Sequence, residues 1–275
     1  MKNSIIQIVV FISCISYSAN AEPIKVRFPE SYPVSFKTSK GFKGMDVEVI
    51  KLILSRAGLE FKTVSWPFKR SLYSMKTGEI HVMTNLVKNE KRSEYMHWIG
   101  PVRYTSIGLI VLKKNRDLKI QNSDDLIRVS KETGRKIGSL IGGSYSDYYD
   151  NRLISDHSFK ESFEFVAYVE QNYKKLNAGR IIGFLYDDFE VKCLINKPQK
   201  KGSEKLVDKF VIHSFRVEGS EGGAFIGLSR KLDRNTVKKI KASYRNIFNN
   251  GSFEEVYYKW CGEKIPDELT KIQIN

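Results

Sequence analysis

Apolar residues occur along this chain as short runs that alternate with helically spaced positions. Three runs in the first part of the chain are predicted to be strands, at residues 25–28, 61–65 and 80–83. Between the first two, a helix is predicted from Gly44-Met45-Asp46 to Gly58, with Asp46 as its cap. Its apolar residues at helical spacing are Val47, Ile50, Ile53, Leu54 and Ala57. Another helix separates the second and third runs, and this order favours a parallel sheet with helical crossovers.

The alternation begins again after a polar stretch at residues 113–125. Three further strands are predicted, at residues 136–141, 163–168 and 181–185. They form a second α/β unit inserted within the first. Two C-terminal helices then return to the first unit, and Ser252 with Glu255 forms a capping box at the start of the second helix.

These patterns predict an α/β protein of two lobes, each a mixed sheet flanked by helices. Lobe 1 is assigned residues 22–114 and 222–275, and lobe 2 residues 115–221, including the return hinge. The chain is long for one compact core and comfortable for two. The crossings near residues 113–117 and 217–223 are short, which suits a hinge rather than a flexible tether.

The first 21 residues have the pattern of a secretory signal peptide. Lys2 gives a positive start, residues 5–15 are largely apolar, and Ala19-Asn20-Ala21 is a small-residue cleavage site. The apolar run is too short to span a bilayer as a stable helix. We expect cleavage after Ala21 and a soluble periplasmic product. The alternative is lipoprotein processing at Cys14, for which Phe11 is a poor match.

Two cysteines follow the predicted signal peptide, Cys193 and Cys261, at a separation of 68 residues. Export would allow a disulfide to persist. The predicted layout puts the two cysteines in different lobes, so two buried free thiols are favoured over a disulfide. The four histidines are scattered without metal-ligand spacing, and no metal or other cofactor is predicted.

The net charge of +15 comes from 46 Lys and Arg residues against 31 Asp and Glu residues. These cations are spread along the chain instead of forming one stripe, and the predicted export argues against an intracellular polymer. We therefore expect a solvated basic surface and no nucleic-acid partner. Attraction of anionic ligands or of an acidic membrane surface is the alternative.

Polar residues follow the predicted strands at the positions where open α/β sheets bind ligands. Thr84, Asn85 and Arg92 follow the third strand. Ser144 follows a glycine pair after the strand at residues 136–141, and Asp187 follows the strand at residues 181–185. A guanidinium, a hydroxyl and a carboxylate from two lobes would suit a zwitterion, since the fork of arginine matches a carboxylate.

Each of these residues also has a structural interpretation. Arg92 could be a surface arginine, Asp187 a helix N-cap, and Gly142-Gly143-Ser144 only a strand-to-helix turn. Tyr32 and Trp66 could be core or rim aromatics instead of a platform for ligand stacking. Arg70 could be a second anion contact or a partner of a nearby acid.

Five motifs in order resemble the family 3 extracellular solute-binding proteins, whose fold is the two-lobed type II periplasmic binding (Venus-flytrap) fold. The motifs are Gly44-Met45-Asp46-Val47-Glu48, Gly78-Glu79-Ile80-His81 with Glu90-Lys91-Arg92 and Ile99-Gly100-Pro101, Ile137-Gly138-Ser139-Leu140-Ile141-Gly142, Gly179-Arg180-Ile181-Ile182-Gly183 through Asp187, and Gly251-Ser252-Phe253-Glu254-Glu255 through Lys259-Trp260-Cys261-Gly262. The resemblance covers nearly the whole chain after the predicted signal peptide.

In amino-acid-binding members, the resemblance implies that Arg92 clamps the ligand carboxylate with help from Ser144. It implies that Asp187 takes the ammonium group and that an aromatic near Tyr32 covers the ligand side chain. The chain departs from the family at His81, where Asp is common, and at residues 85–88, where Ser and Thr are common. These departures indicate an altered carboxylate pocket.

The resulting hypothesis is a monomeric periplasmic protein without catalysis that captures a small polar ligand, an amino acid or related carboxylate, for an ABC-type transporter in the inner membrane. One alternative is an enzyme on the same fold, similar to cyclohexadienyl dehydratase, for which Glu30 and Glu161 would be the available acids. Another is a sensing module that acts on a separate membrane receptor.

Overall fold

The computed structural model describes residues 22–196, 209–267 and 269, which form alternating strands and helices. The strands, in chain order, are β1 Ile24–Arg27, β2 Phe36–Thr38, β3 Gly41–Lys43, β4 Phe61–Val64, β5 Val82–Val87, β6 Met96–Thr105, β7 Ile107–Leu112, β8 Lys136–Leu140, β9 Phe163–Val166, β10 Ile181–Asp187, β11 Phe210–Arg216 and β12 Gly222–Ser229. The helices are α1 Met45–Arg56, α2 Phe68–Thr77, α3 Glu90–Ser93, α4 Ser123–Thr133, α5 Asp147–Ser155, α6 His157–Glu161, α7 Val169–Asn177, α8 Asp188–Asn196, α9 Arg234–Asn249 and α10 Ser252–Cys261. Within these ranges, no helix has both the length and the apolar character needed to cross a bilayer.

The first sheet has the strand order β4-β1-β5-β12-β6. The parallel pairing of β1 with β4 and β5 follows from the helical crossovers and confirms the prediction for this part of the chain. Strand β12 comes back from the second half of the chain and lies antiparallel between β5 and β6. Helices α1, α9 and α10 bury their apolar faces in one core with this sheet, through residues such as Ile53, Ile247 and Phe253.

The second sheet has the order β11-β7-β10-β8-β9. Strand β8 pairs in parallel with β9 and with β10. Strand β7 lies between β10 and β11 and pairs antiparallel with both. Leu109, Ile137 and Leu185 pack in the main core of this lobe. The fold is therefore a two-lobed α/β architecture in which each mixed sheet is flanked by helices, as the sequence predicts.

Two elements belong to a different lobe from the one that the sequence pattern predicts. The sequence pattern places β7 in lobe 1, but its apolar run pairs with β10 and β11 in the second sheet. The pattern places α8 in lobe 2, but Phe189 and Cys193 on this helix are buried in the core of the first lobe. The chain therefore crosses between the lobes at Ser106, where β6 ends and β7 begins, and again where β10 gives way to α8.

Cys193 and Cys261 form a disulfide bond, so the prediction of two free thiols is wrong. The prediction failed because it assigned Cys193 to the second lobe. Helix α8 instead packs against α10 in the core of the first lobe, and its cysteine meets the last residue of that C-terminal helix.

Candidate functional site

A cavity of about 420 Å³ lies between the two sheets and is lined by residues of both lobes. The first lobe contributes the ends of β1 and β5 and the start of α2. The second contributes the segments after β8 and β9 and the end of β10. Asn85, Ser144, Asp187 and Arg92, predicted from the carboxyl ends of strands, all line this one cavity.

Arg92 is held in the cavity wall by the short helix α3, which Asn89 caps by accepting a hydrogen bond from the Arg92 amide at 2.9 Å. Its guanidinium donates to the carbonyl oxygen of Val87 at 2.9 Å and, across the cleft, to that of Gly142 at 3.4 Å. It also lies 5.6 Å from the centre of the Phe68 ring. The side chain is buried, which lowers the pKa of Arg92 from its usual value. No carboxylate in the described part of the chain forms an ion pair with Arg92, so its charge is available to an anion.

Ser144 connects the two walls of the cleft. Its hydroxyl accepts a hydrogen bond from Asn89 Nδ2 of the first lobe at 2.8 Å and donates to Asp150 Oδ2 at 2.5 Å. Burial raises the pKa of Asp150, while the Ser144 hydrogen bond and the nearby Arg92 charge oppose that rise. Together with the contact from Arg92 to Gly142, the Asn89–Ser144 bond holds the lobes together on one side of the cavity.

Asp187 both lines the cavity and begins the turn into α8. Its Oδ1 accepts from the Phe189 amide at 2.9 Å, in the manner of a helix cap, and also from the Thr105 hydroxyl. Its Oδ2 lies 3.8 Å from Nε of Arg103. Burial raises the pKa of Asp187, and the Arg103 charge acts against this rise. The predicted ammonium acceptor is thus already engaged by protein groups.

Asn85 links a buried polar network to the cavity. Its Oδ1 accepts from Arg103 at 2.6 Å, and its Nδ2 donates to Glu190 Oε1 at 3.1 Å. Arg103 is fully buried and donates to Asp46 Oδ1 at 2.6 Å. Asn85 has a φ of 58°, a left-handed conformation that asparagine tolerates better than most residues. Sequence reasoning missed Arg103, since nothing in its position within β6 distinguishes it from other arginines.

The other four predicted residues lie outside the cavity lining. Thr84 is fully buried within β5. Tyr32 packs on Phe36 with ring centres 5.0 Å apart, and burial raises the pKa of Tyr32 to about 12. The exposed Arg70 stacks on Trp66 with its guanidinium 4.4 Å from the ring centre, an arrangement that neither interpretation of Arg70 anticipated.

Arg27 and Phe68 are cavity residues that the sequence reading did not select. Arg27 is the last residue of β1, and its guanidinium lies 5.4 Å from the centre of the Phe68 ring. Ligands contact the carboxyl ends of strands in open α/β sheets, and this applies to β1 as well as to β5. The position of Arg27 at the end of β1 could therefore have indicated it from the sequence.

Glu30 and Glu170 line the cavity from opposite lobes. Glu30 accepts a hydrogen bond from the Ser65 hydroxyl at 3.2 Å. Glu170 belongs to the first turn of α7, and burial, together with the charge of Glu30, raises its pKa. These residues give the Arg27 end of the cavity a mixed electrostatic character. Glu161, the other acid considered for catalysis, lies outside this lining, on α6.

Comparisons with known proteins agree with this architecture. The family described as bacterial extracellular solute-binding proteins, family 3, matches residues 24–263. The chain is 21% identical over 225 residues to the probable amino-acid-binding protein YxeM of Bacillus subtilis (strain 168), covering 79% of this chain and 81% of that protein. It is 24% identical over 234 residues to the arginine-binding extracellular protein ArtP of the same organism, covering 84% and 83% of the two.

Solved structures share the fold at low identity. The arginine-, lysine-, histidine-binding protein ArtJ of Geobacillus stearothermophilus has a TM-score of 0.70 at 14% identity, over 90% of this chain and all of that one (100%). A mutant of ArgBP from T. maritima has a TM-score of 0.69 at 20% identity, over 87% of this chain and 95% of that one. With the family match spanning both lobes, the chain belongs to the bacterial extracellular solute-binding proteins of family 3.

Proposed function

We propose that this solute-binding protein captures an amino acid or related carboxylate in the cleft between its lobes and delivers it to an ABC-type transporter in the inner membrane. The observation that carries the proposal is the buried guanidinium of Arg92, which lines the cavity and, among the described residues, has only carbonyl oxygens as hydrogen-bond acceptors. Arginine matches a carboxylate in a bidentate geometry, and such charge-assisted bonds are strong. The names of the relatives, which include amino-acid-binding and arginine-binding proteins, support the ligand class.

Binding is coupled to lobe closure in this proposal. Arg92 and Asn89 of the first lobe meet Gly142 and Ser144 of the second beside the cavity. A ligand that contacts both walls stabilises this closed arrangement over an open one, and the transporter then recognises the closed form. No catalytic step is part of the proposal.

The cellular context is proposed from the sequence. The signal peptide, which lies outside the described residues, is cleaved after Ala21, and the product acts as a monomer in the periplasm. Intact-mass measurement of the exported protein tests the cleavage. A lipid-modified N-terminus at Cys14 would contradict cleavage after Ala21 and indicate lipoprotein processing.

The test of the binding role is a thermal-shift screen of the mature protein against amino acids, small carboxylates, polyamines and sugars. A ligand that binds only the native state raises the apparent stability by mass action. Calorimetry then compares the wild-type protein with Arg92→Ala, Arg92→Lys and the control Arg70→Ala, which alters an exposed arginine outside the cavity.

Removal of one partner of a buried charge pair typically costs about 3–5 kcal/mol, which corresponds to roughly two to nearly four decades in affinity. We expect Arg92→Ala to lose this much affinity and Arg92→Lys to recover little, because an ammonium group cannot reproduce the guanidinium fork. The control should bind normally. Unchanged binding by Arg92→Ala, or stabilisation only by neutral sugars, would overturn the proposal.

A further inference from the structure

Arg27 is a buried cation without a protein acceptor in the described part of the chain. It is the last residue of β1, is only 8% exposed and lines the cavity. Its Nε atom is buried and unpaired. None of its guanidinium nitrogens donates a hydrogen bond to the residues that the structure describes.

A buried cation without a hydrogen-bond acceptor destabilises the folded protein. Burial of a charged group disfavours folding unless the charge is paired or hydrogen-bonded. Burial lowers the pKa of Arg27 to about 10, so the group stays cationic at neutral pH. Its contact with the Phe68 ring at 5.4 Å offsets part of the cost but supplies no acceptor. The N–H donors facing the cavity are therefore open to a ligand oxygen.

Arg27 and Arg92 lie near the same ring. The Arg27 guanidinium is 5.4 Å and the Arg92 guanidinium 5.6 Å from the centre of Phe68. Their separation cannot exceed the sum of these two distances, so we expect a short ligand with an oxygen anion at each end to reach both guanidinium groups. The cavity thus offers two cationic contacts instead of the one that a simple amino acid needs.

The nearby acids do not neutralise Arg27. Glu30 and Glu170 line the same end of the cavity, and their charges favour the cationic form of Arg27. Neither forms an ion pair with it in the described structure, and Glu30 accepts from Ser65 instead. Asp187, further along the cavity, faces Arg103. Among the residues that the structure describes, the guanidinium of Arg27 therefore has no hydrogen-bond acceptor.

We propose that Arg27 is a second anion-binding residue of the cleft and that the ligand carries two carboxylates, one bound by Arg92 and the other by Arg27. Short dicarboxylates and acidic amino acids have this chemistry. This inference rests on the proposed binding function and narrows its ligand class. Glu170 and Glu30 then provide acceptors for an ammonium group, should the dicarboxylate carry one.

Matched ligand pairs test the inference by calorimetry. L-glutamate and L-aspartate are compared with L-glutamine and L-asparagine, which have the same shape and one carboxylate fewer, and succinate and glutarate test whether an ammonium group is needed. We expect the wild-type protein to prefer a dicarboxylate over its amide by roughly a hundredfold or more. Arg27→Gln should remove most of that preference, because it should weaken binding of the dicarboxylate far more than binding of its amide.

Two controls separate this effect from damage to the fold. Arg70→Gln removes an exposed arginine and should keep the full preference. The melting temperature of ligand-free Arg27→Gln should equal or exceed that of the wild-type protein, because the variant removes an uncompensated buried charge.

The inference is overturned if the amides or cationic amino acids bind as tightly as the dicarboxylates, or if Arg27→Gln keeps the preference. In both cases a loss of binding in Arg92→Ala would still support the proposed function. If no carboxylate and no amino acid binds, both this inference and the proposed function are wrong.

Discussion

Asp187 and Arg103 face each other in the buried junction between the lobes, with Oδ2 of Asp187 3.8 Å from Nε of Arg103. Both side chains are largely or fully buried. The carboxylate that the family resemblance assigns to a ligand ammonium is thus also part of the internal charge balance of the protein.

Asp187→Asn separates a role in ligand binding from a role in the stability of the fold. An amide can retain the hydrogen bonds of Oδ1 but not the negative charge that faces Arg103. Burial raises the pKa of Asp187, so the fold on balance disfavours the ionised carboxylate, and Arg103 keeps its closer partner Asp46. We therefore expect the free energy of unfolding at neutral pH to be unchanged or slightly raised, while the affinity for a ligand that carries an ammonium group falls. Urea unfolding and calorimetry measure the two effects, and a marked loss of stability in Asp187→Asn would contradict this assignment.

Arg103→Met should be among the most destabilising single substitutions. It leaves the carboxylate of Asp46 buried without its partner at 2.6 Å and removes the cation near Asp187 and Glu190. Breaking a buried ion pair typically costs about 3–5 kcal/mol. Arg70→Met, on the surface, should change stability by less than about 1 kcal/mol.

A second substitution distinguishes lost charge balance from lost packing at this site. Adding Asp46→Asn to Arg103→Met removes the orphaned carboxylate, so the double variant should regain part of the stability. Urea unfolding of all four proteins completes the cycle. Strictly additive losses would show that the Arg103–Asp46 pair is not the cause.

Replacement of both cysteines should destabilise the protein without changing the fold. The disulfide closes a loop across a sequence separation of 68 residues, and loop-closure entropy assigns such a bond about 4 kcal/mol of stabilisation. We expect Cys193→Ala with Cys261→Ala to lower the denaturant midpoint accordingly. Thiol titration of the unfolded wild-type protein provides the control, and free thiols there would contradict the bond.

Glu190 should make stability depend on pH. Burial and the adjacent Asp187 raise its pKa well above the usual value, against the hydrogen bonds from Ser31 and Tyr186 and the charge of Arg103. A carboxyl whose pKa is raised in the folded state favours folding fully below its unfolded pKa of about 4.3 and loses that contribution as pH rises toward the folded pKa. Glu190→Gln should therefore be more stable than wild type at neutral pH, and the difference should vanish near pH 4. A constant difference across this range would exclude the titration of Glu190 as its cause.

The sequence pattern predicted the local elements well and the lobe membership less well. The helix predicted from Gly44 and the strands of both units are present because the periodicity of apolar residues follows burial. The predicted caps are wrong. Asp46 lies within α1 and accepts from Arg103 instead, and Ser252 lies within α10 and makes no cap hydrogen bond. The position of β7 depended on which sheet its edges would join, and a continuous apolar run is equally compatible with either. The same ambiguity affected α8, and through it the cysteine pairing.

The candidate site was predictable where it follows strand ends and not where it depends on long-range pairing. Arg92, Ser144 and Asp187 were selected by position after a strand, and they share one cavity. Arg103 and Glu190 come together only because distant segments fold together, so no local sequence spacing indicates that they belong to one network. Tyr32 and Trp66 were chosen as aromatics near the site, but a hydrophobic ring gives no sign of which neighbour it will pack against.

The crossings between the lobes are joined to one another by hydrogen bonds. Ser106 donates from its amide and its hydroxyl to Asp188, each at 3.0 Å, and the Ile107 amide donates to the Ser220 hydroxyl at 3.0 Å. The Cys193–Cys261 bond anchors α8, which begins at Asp188, to the first lobe. These bonds tie together three of the places where the chain passes between the lobes, at Ser106, at Asp188 and at Ser220. We therefore expect closure to be a hinge rotation about these joined crossings, which brings Ser144 back to Asn89.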